Sequence, residues 1–138
     1  MSYHILMLKV ILKIAAVILL LFNGIGALYG GLSFMLHPDG SGLEMSAEYL
    51  RYSPFSDFFV PGLILFTCNG VLSLVAISLV LFSHRHAAWA VLLQGAILVG
   101  WIAVQVLMVR DFQELHGVML GTGVLLVVCG YLMRRLTK

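Results

Sequence analysis

Asn23, Asn69, Gln94 and Gln105, together with Trp101, are polar side chains set inside runs of otherwise apolar residues. Amides in such surroundings have two uses. They hydrogen-bond between helices, each bond contributing about 0.6 kcal/mol in a membrane bundle, or they line a cavity and orient a lipophilic ligand through a few polar contacts. At a rise of about 1.5 Å per residue, Asn23, Asn69 and Gln94 fall near the central third of their segments, so the three can meet; Gln105 is shallower. Trp101 and Gln105, four residues apart on one helical face, extend the same region outward. These five residues are the candidate ligand-binding set.

Other chemistry is sparse. His37, Asp39, Asp57, Asp111, Glu114 and His116 cluster near segment ends, and histidine with carboxylates can hold a divalent cation, but their spacing matches no metal pattern and solvated loop positions are expected. His84-Arg85-His86 reads as a polar connector or a contact to anionic lipid. No catalytic residue, cofactor or metal is expected. Hydrolase elbows, phosphate loops and nucleotide fingerprints are missing, and Gly24-x-Gly26 lies in an apolar run instead of after a strand. No histidine lies deep enough to ligate a haem between helices. Cys68 and Cys129 form no C-x-x-C pair, so two buried free thiols are expected.

What must position the amides is a set of uncharged apolar runs: Ile14 to Leu36, Phe58 to Ser83, Ala87 to Val109 and Gly117 to Met133. Crossing the hydrocarbon core takes about 20 apolar helical residues. The chain is 62% hydrophobic and 10% charged, which excludes an ordinary soluble domain. The spacing predicts an all-α, antiparallel bundle of four transmembrane helices with spans at about 10–36, 58–83, 87–109 and 115–134 and one outer loop at 37–57. Asp, Glu, Lys and Arg are absent from the run interiors, which argues against a transporter coupled through a membrane-embedded carboxylate.

The placement of charge assigns sides. All six acids fall in the two connections at 37–57 and 110–116, whereas Lys9, Lys13, Arg85, Arg134, Arg135 and Lys138 lie at the other end. The positive-inside rule then places both termini in the cytoplasm. No small-residue cleavage site stands out after the first run, so residue 1 onward is taken as mature chain.

Small residues recur as Gly26-x-x-x-Gly30, Ala27-x-x-x-Gly31, Ala96-x-x-x-Gly100 and Gly117-x-x-x-Gly121. Such strips let helix backbones approach closely in lipid, within one subunit or between subunits. In the outer loop, Asp39-Gly40 marks a turn and Ser41-x-x-Glu44 has capping-box spacing, predicting a short amphipathic helix from about Gly42 to Tyr52, stopped before Pro54. Tyr49, Tyr52, Phe55, Phe58 and Phe59 would then lie at headgroup depth.

Three stretches, His37-Pro38-Asp39-Gly40-Ser41-Gly42-Leu43-Glu44-Met45, Ser53-Pro54-Phe55-Ser56-Asp57-Phe58-Phe59-Val60-Pro61-Gly62 and Trp101-Ile102-Ala103-Val104-Gln105, resemble patterns of small four-span bacterial membrane proteins of uncharacterised function. In outline the chain is also similar to DoxX-like proteins. The resemblance implies a four-helix fold in the bacterial inner membrane and no particular reaction. The expected function is binding of a lipid, a hydrophobic small molecule or a partner membrane protein within the bundle. The alternative is an uncoupled transporter or channel acting as a homo-oligomer, with an enzyme placed last. Membrane lipids are the expected partners, and nucleic acid is not.

Overall fold

The computed structural model describes residues 2–137, so Lys138, counted above among the basic end, lies outside the described residues. Four helices carry the fold: α1 (Tyr3–Leu36), α2 (Phe59–Leu81), α3 (Ala87–Val109) and α4 (Glu114–Leu136), each long and apolar enough to cross a membrane. No strand occurs among the described residues.

α1 starts earlier than the predicted residue 10, because the Ser2 hydroxyl accepts from the Ile5 amide at 3.3 Å and caps the first turn. Its 34 residues span about 51 Å, more than a hydrocarbon core of about 30 Å, so the helix overhangs or tilts. α2 begins where Asp57 Oδ1 accepts from the Phe59 amide at 3.0 Å, with Pro61 in the first turn, where a missing amide donor costs nothing. Its centre, Leu65–Val71, is π-helical, a widening that no composition signal announces. At its far end the Ser83 amide bonds the Val80 carbonyl and the His84 amide bonds the Leu79 carbonyl, closing a Schellman motif with Ser83 at φ 50°.

α1 packs most closely on α2, and α3 on α4. Of the strips with four-residue spacing, Ala27-x-x-x-Gly31 is buried and supplies Gly31 to a seam, whereas Gly26, Gly100 and Gly121 of the others make no close approach. On α1 the residues in use are Gly24 and Gly31: a Cβ on Gly31 would lie 2.7 Å from the Gly62 carbonyl oxygen, and one on Gly24 would lie 3.1 Å from Ser73 Cβ. α2, which has no four-residue strip, supplies Gly62 and Gly70 to this seam. Between α3 and α4 the seam is Gly95, Gly123 and Gly130, where a Cβ on Gly130 would lie 2.5 Å from the Leu92 amide nitrogen. Gly26, Gly100 and Gly121 face open space.

The end of the bundle that holds the chain start and the α2–α3 connection is filled by Leu12, Ala16, Leu20, Ile77, Val80, Val91, Leu126 and Met133. Cys129 is buried in this core, Cys68 is partly buried, and both are free thiols. The opposite end is covered by the long loop. Instead of one helix over 42–52, the loop forms two short 3-10 turns, Ser41–Leu43 and Ala47–Leu50. Local hydrogen bonds divide it: Asp39 Oδ1 accepts from the Ser41 amide at 3.0 Å, Met45 N–H returns to the Gly40 carbonyl at 2.8 Å, and Glu44 stands at φ 55°. The Ser41 amide and hydroxyl, with His37 nearby, hold the Asp39 carboxyl below its usual range. Ser46, not Ser41, provides the cap, accepting from the Glu48 amide at 3.2 Å.

The loop is pinned from below by stacked Phe34 and Phe58 rings, 4.6 Å apart at their centroids, with Leu50 buried against them. Arg110, at the end of α3, lies 4.1 Å over the Tyr52 ring and fastens the loop to the α3–α4 connection. Of the loop aromatics, Phe58 and Phe55 thus turn into the protein, while Tyr52 and Phe59 stay exposed.

Candidate functional site

Beneath the loop, the helices separate around a cavity of about 350 Å³ walled by α1, α3, α4 and Leu65 of α2 and roofed by Leu43 and Met45. Its volume falls in the range of small-molecule sites, roughly 300–1,000 Å³. The void follows from side-chain size. α1 presents Gly26, Ala27 and Gly30 to it, and a Cβ on Gly26 would meet no atom within 4 Å. Opposite stand Leu98, Trp101, Ile102 and Gln105 of α3 and Leu115, His116 and Met119 of α4. Phe22, Tyr29 and Leu115 belong to the wall and are also exposed, so the cavity reaches the apolar outer surface of the bundle.

Asn23, Trp101 and Gln105 are all on the cavity wall. Asn69 and Gln94 are not. They lie one layer behind Asn23 in a buried amide network at the π-helical part of α2. Asn23 Nδ2 donates to Ser73 Oγ at 3.1 Å and to the Asn69 carbonyl at 3.4 Å, and Gln94 Nε2 donates to the Cys68 carbonyl at 3.1 Å and to Asn69 Oδ1 at 3.4 Å. Two consecutive carbonyls of the widened turn therefore each receive an amide from a neighbouring helix, which is how irregular backbone is accommodated at membrane depth. The geometry assigns Asn69 and Gln94 to this internal network, while Asn23 belongs to both network and wall.

The network predicts an order of mutational costs. Asn69 Nδ2 and Gln94 Oε1 are buried without a partner. Asn69→Leu removes one unpaired donor and one long acceptor contact while leaving the carbonyl that Asn23 uses, so it should change stability by less than about 0.5 kcal/mol. Asn23→Leu strands Ser73 and Gln94→Leu strands the Cys68 carbonyl, so each should cost about 1–2 kcal/mol. Thermal unfolding in detergent of the three single variants tests the order; a larger loss from Asn69→Leu than from Asn23→Leu would contradict the network.

His116 is the wall residue that sequence reasoning misplaced among the solvated outer groups. It is only 8% exposed. Its position follows from the cap of α4: Gln113 N–H donates to His116 Nδ1 at 3.1 Å while the Gln113 side chain accepts the amide of the third helical residue, a reciprocal capping box. The Gln113-x-x-His116 spacing was the available signal, obscured because histidine takes the place usually held by Glu or Gln. An Nδ1 that accepts is unprotonated, so neutral His116 carries its proton on Nε2. That Nε2–H has no hydrogen-bond partner among the described residues. Phe112, with its ring centroid 5.9 Å away, borders the imidazole on one side.

Among the described residues no three of His, Cys, Asp and Glu gather as ligands for a metal. The arrangement can therefore offer a lipophile an apolar chamber with a few neutral polar groups, the Nε2–H of His116 and the side chains of Gln105, Trp101 and Asn23, and no charge. Comparison with family models, with curated proteins and with solved structures finds no match.

Proposed function

We propose that this chain is a non-enzymatic binding protein of the bacterial inner membrane that holds an uncharged, hydrogen-bond-accepting lipophile, such as the carbonyl end of a neutral lipid, in the cavity beneath its loop. The observation that carries the reading is the pairing of an apolar chamber with His116, a buried residue of its wall whose Nε2 has no hydrogen-bond partner among the described residues. A donor in the wall distinguishes acceptors from hydrocarbons, because a hydrocarbon that covered it would leave it unpaired at a cost of about 1–3 kcal/mol. The exposed wall residues Phe22 and Tyr29 give a route from the lipid side without passage through water.

The setting of this reading is an antiparallel bundle with both termini in the cytoplasm. It is supported by the seams, where Gly31 meets Gly62 while Gly24 meets Gly70 and Ser73, and Gly95 meets Gly123 while Leu92 meets Gly130. It is supported also by the gathering of basic residues at one end and acids at the other. The likeness to small four-span and DoxX-like proteins agrees with this setting. Gly100 and Gly121, which no neighbour covers, leave a small-residue face for a second copy of the chain.

The test is recovery of a lipophile by solvent extraction of protein purified in mild detergent, identified by mass spectrometry. His116→Glu keeps a capping-box acceptor at this position and replaces the donor, so it should retain the helix cap and lose roughly tenfold or more in ligand occupancy. His116→Ala should lose both, with about 1 kcal/mol less stability. Equal ligand recovery from wild type and His116→Glu would refute the donor role.

A further inference from the structure

At the opposite end of the bundle a second hollow, of about 330 Å³, is bordered by Lys9, Lys13, Ser83, His84, Arg85 and Met133. Lys9 and Lys13 are both half-buried. Lys13 Nζ donates to Ser83 Oγ at 2.9 Å, which fixes one ammonium at the rim. Two ammonium groups and a guanidinium thus share a concave site. No Asp or Glu side chain is near to offset them, since all six lie in the loop at 39–57 or at 111–114, the far end of the bundle. Like charges gathered around low-dielectric walls repel one another and attract an anion more strongly than the same charges spread in water.

Two local features act in the same direction. Ser83 occupies a left-handed position, φ 50°, that favours glycine. The side chain kept there is the one that anchors Lys13. The hollow also takes in Ala87 and Ala88, the first residues of α3, so the positive end of a 23-residue helix faces the same space. The mixed character of the wall, cations on α1 and the connection with Met133 on α4, fits a group that is ionic at one end and apolar at the other.

We propose that this hollow binds a phosphate group, delivered by the headgroup of an anionic phospholipid at the membrane surface. Lys9, Lys13 and Arg85 neutralise the phosphate, and the first turn of α3 offers its dipole. The site is separate from the cavity beneath the loop and does not depend on what that cavity holds.

The test uses the full chain in neutral detergent, with phosphatidylglycerol, phosphatidylcholine and inorganic phosphate as separate probes, read by native mass spectrometry and thermal unfolding. Wild type is expected to retain phosphatidylglycerol in preference to phosphatidylcholine. Each removed cation should weaken that preference roughly fivefold, and Lys13→Gln combined with Arg85→Gln about 25-fold, with further weakening as salt is raised. Removing like charges should leave unfolding without lipid unchanged or slightly improved; should the double variant misfold, Lys9→Gln, which leaves the Lys13–Ser83 bond intact, carries the same test at about fivefold. Stabilisation by inorganic phosphate equal to that by phosphatidylglycerol would support the phosphate site and assign a soluble source. Equal retention of phosphatidylcholine, or unchanged phosphatidylglycerol binding in the variants, overturns the proposal.

Discussion

Gly130→Val and Gly95→Val should each lower the thermal midpoint by roughly 10 °C, and the two together by roughly 20 °C, while Gly100→Val and Gly121→Val on the same two helices change a monomer little. At Gly130 a new Cβ would lie 2.5–2.7 Å from the amide nitrogen, Cα and Cβ of Leu92. At Gly95 it would lie 2.6 Å from the Gly123 carbonyl oxygen and 2.7 Å from the Val127 amide nitrogen. These are mostly backbone atoms, which no rotamer change can move aside. The helices must separate, and overpacking of this kind costs about 3 kcal/mol at each site against a total stability of about 5–15 kcal/mol. At Gly100 and Gly121 a Cβ meets nothing. Circular dichroism melts and size-exclusion profiles of the four variants are the measurement. Collapse of the Gly121→Val variant from a dimer to a folded monomer would place a second copy against that face, and equal unfolding of all four variants would discredit the seam.

That contrast also marks where the sequence stopped being legible. The four spans, the absence of a disulfide framework and the convergence of Asn23, Asn69 and Gln94 all follow from composition and from helical rise, since these depend on distance along one helix. Which glycines pack does not. A four-residue repeat shows that a face is small without showing what lies across from it, so Gly26, Gly100 and Gly121 looked like contacts and face open space. The seam residues Gly95, Gly123 and Gly130 are spaced to match a partner whose rotation only the assembled bundle fixes. The same limit explains the loop. Ser41 and Glu44 have the spacing of a capping box, but the competing Asp39 bond to the Ser41 amide and the left-handed Glu44 backbone break the helix into two turns. It explains the amides too, for the π-helical turn that receives Asn23 and Gln94 arises from bonds between helices. His116 was legible in type and misread in direction, because its burial depends on a cap in which the imidazole replaces a carboxylate or amide.

Filling the cavity should abolish ligand binding without harming the fold. Gly26 lies on the cavity wall in the middle of α1, its position has no steric neighbour, and its backbone is ordinary helix. Gly26→Phe therefore removes a helix-weakening glycine, worth up to about 0.5–1 kcal/mol in water, and puts an aromatic ring into a hollow of about 350 Å³. A lipophile excluded from even four methylenes' worth of burial loses about 3 kcal/mol, more than a hundredfold in affinity. The melting temperature should be unchanged or raised while extracted ligand falls below detection. Gly24→Phe, two residues away, is the control: its Cβ would press on Ser73 at 3.1 Å, so it should destabilise the α1–α2 seam. Loss of stability separates the two variants by face, and loss of ligand with stability intact separates a binding cavity from a packing defect. Full ligand recovery from a stable Gly26→Phe protein would move the ligand elsewhere on the bundle and leave the hollow as an imperfection of packing around small residues.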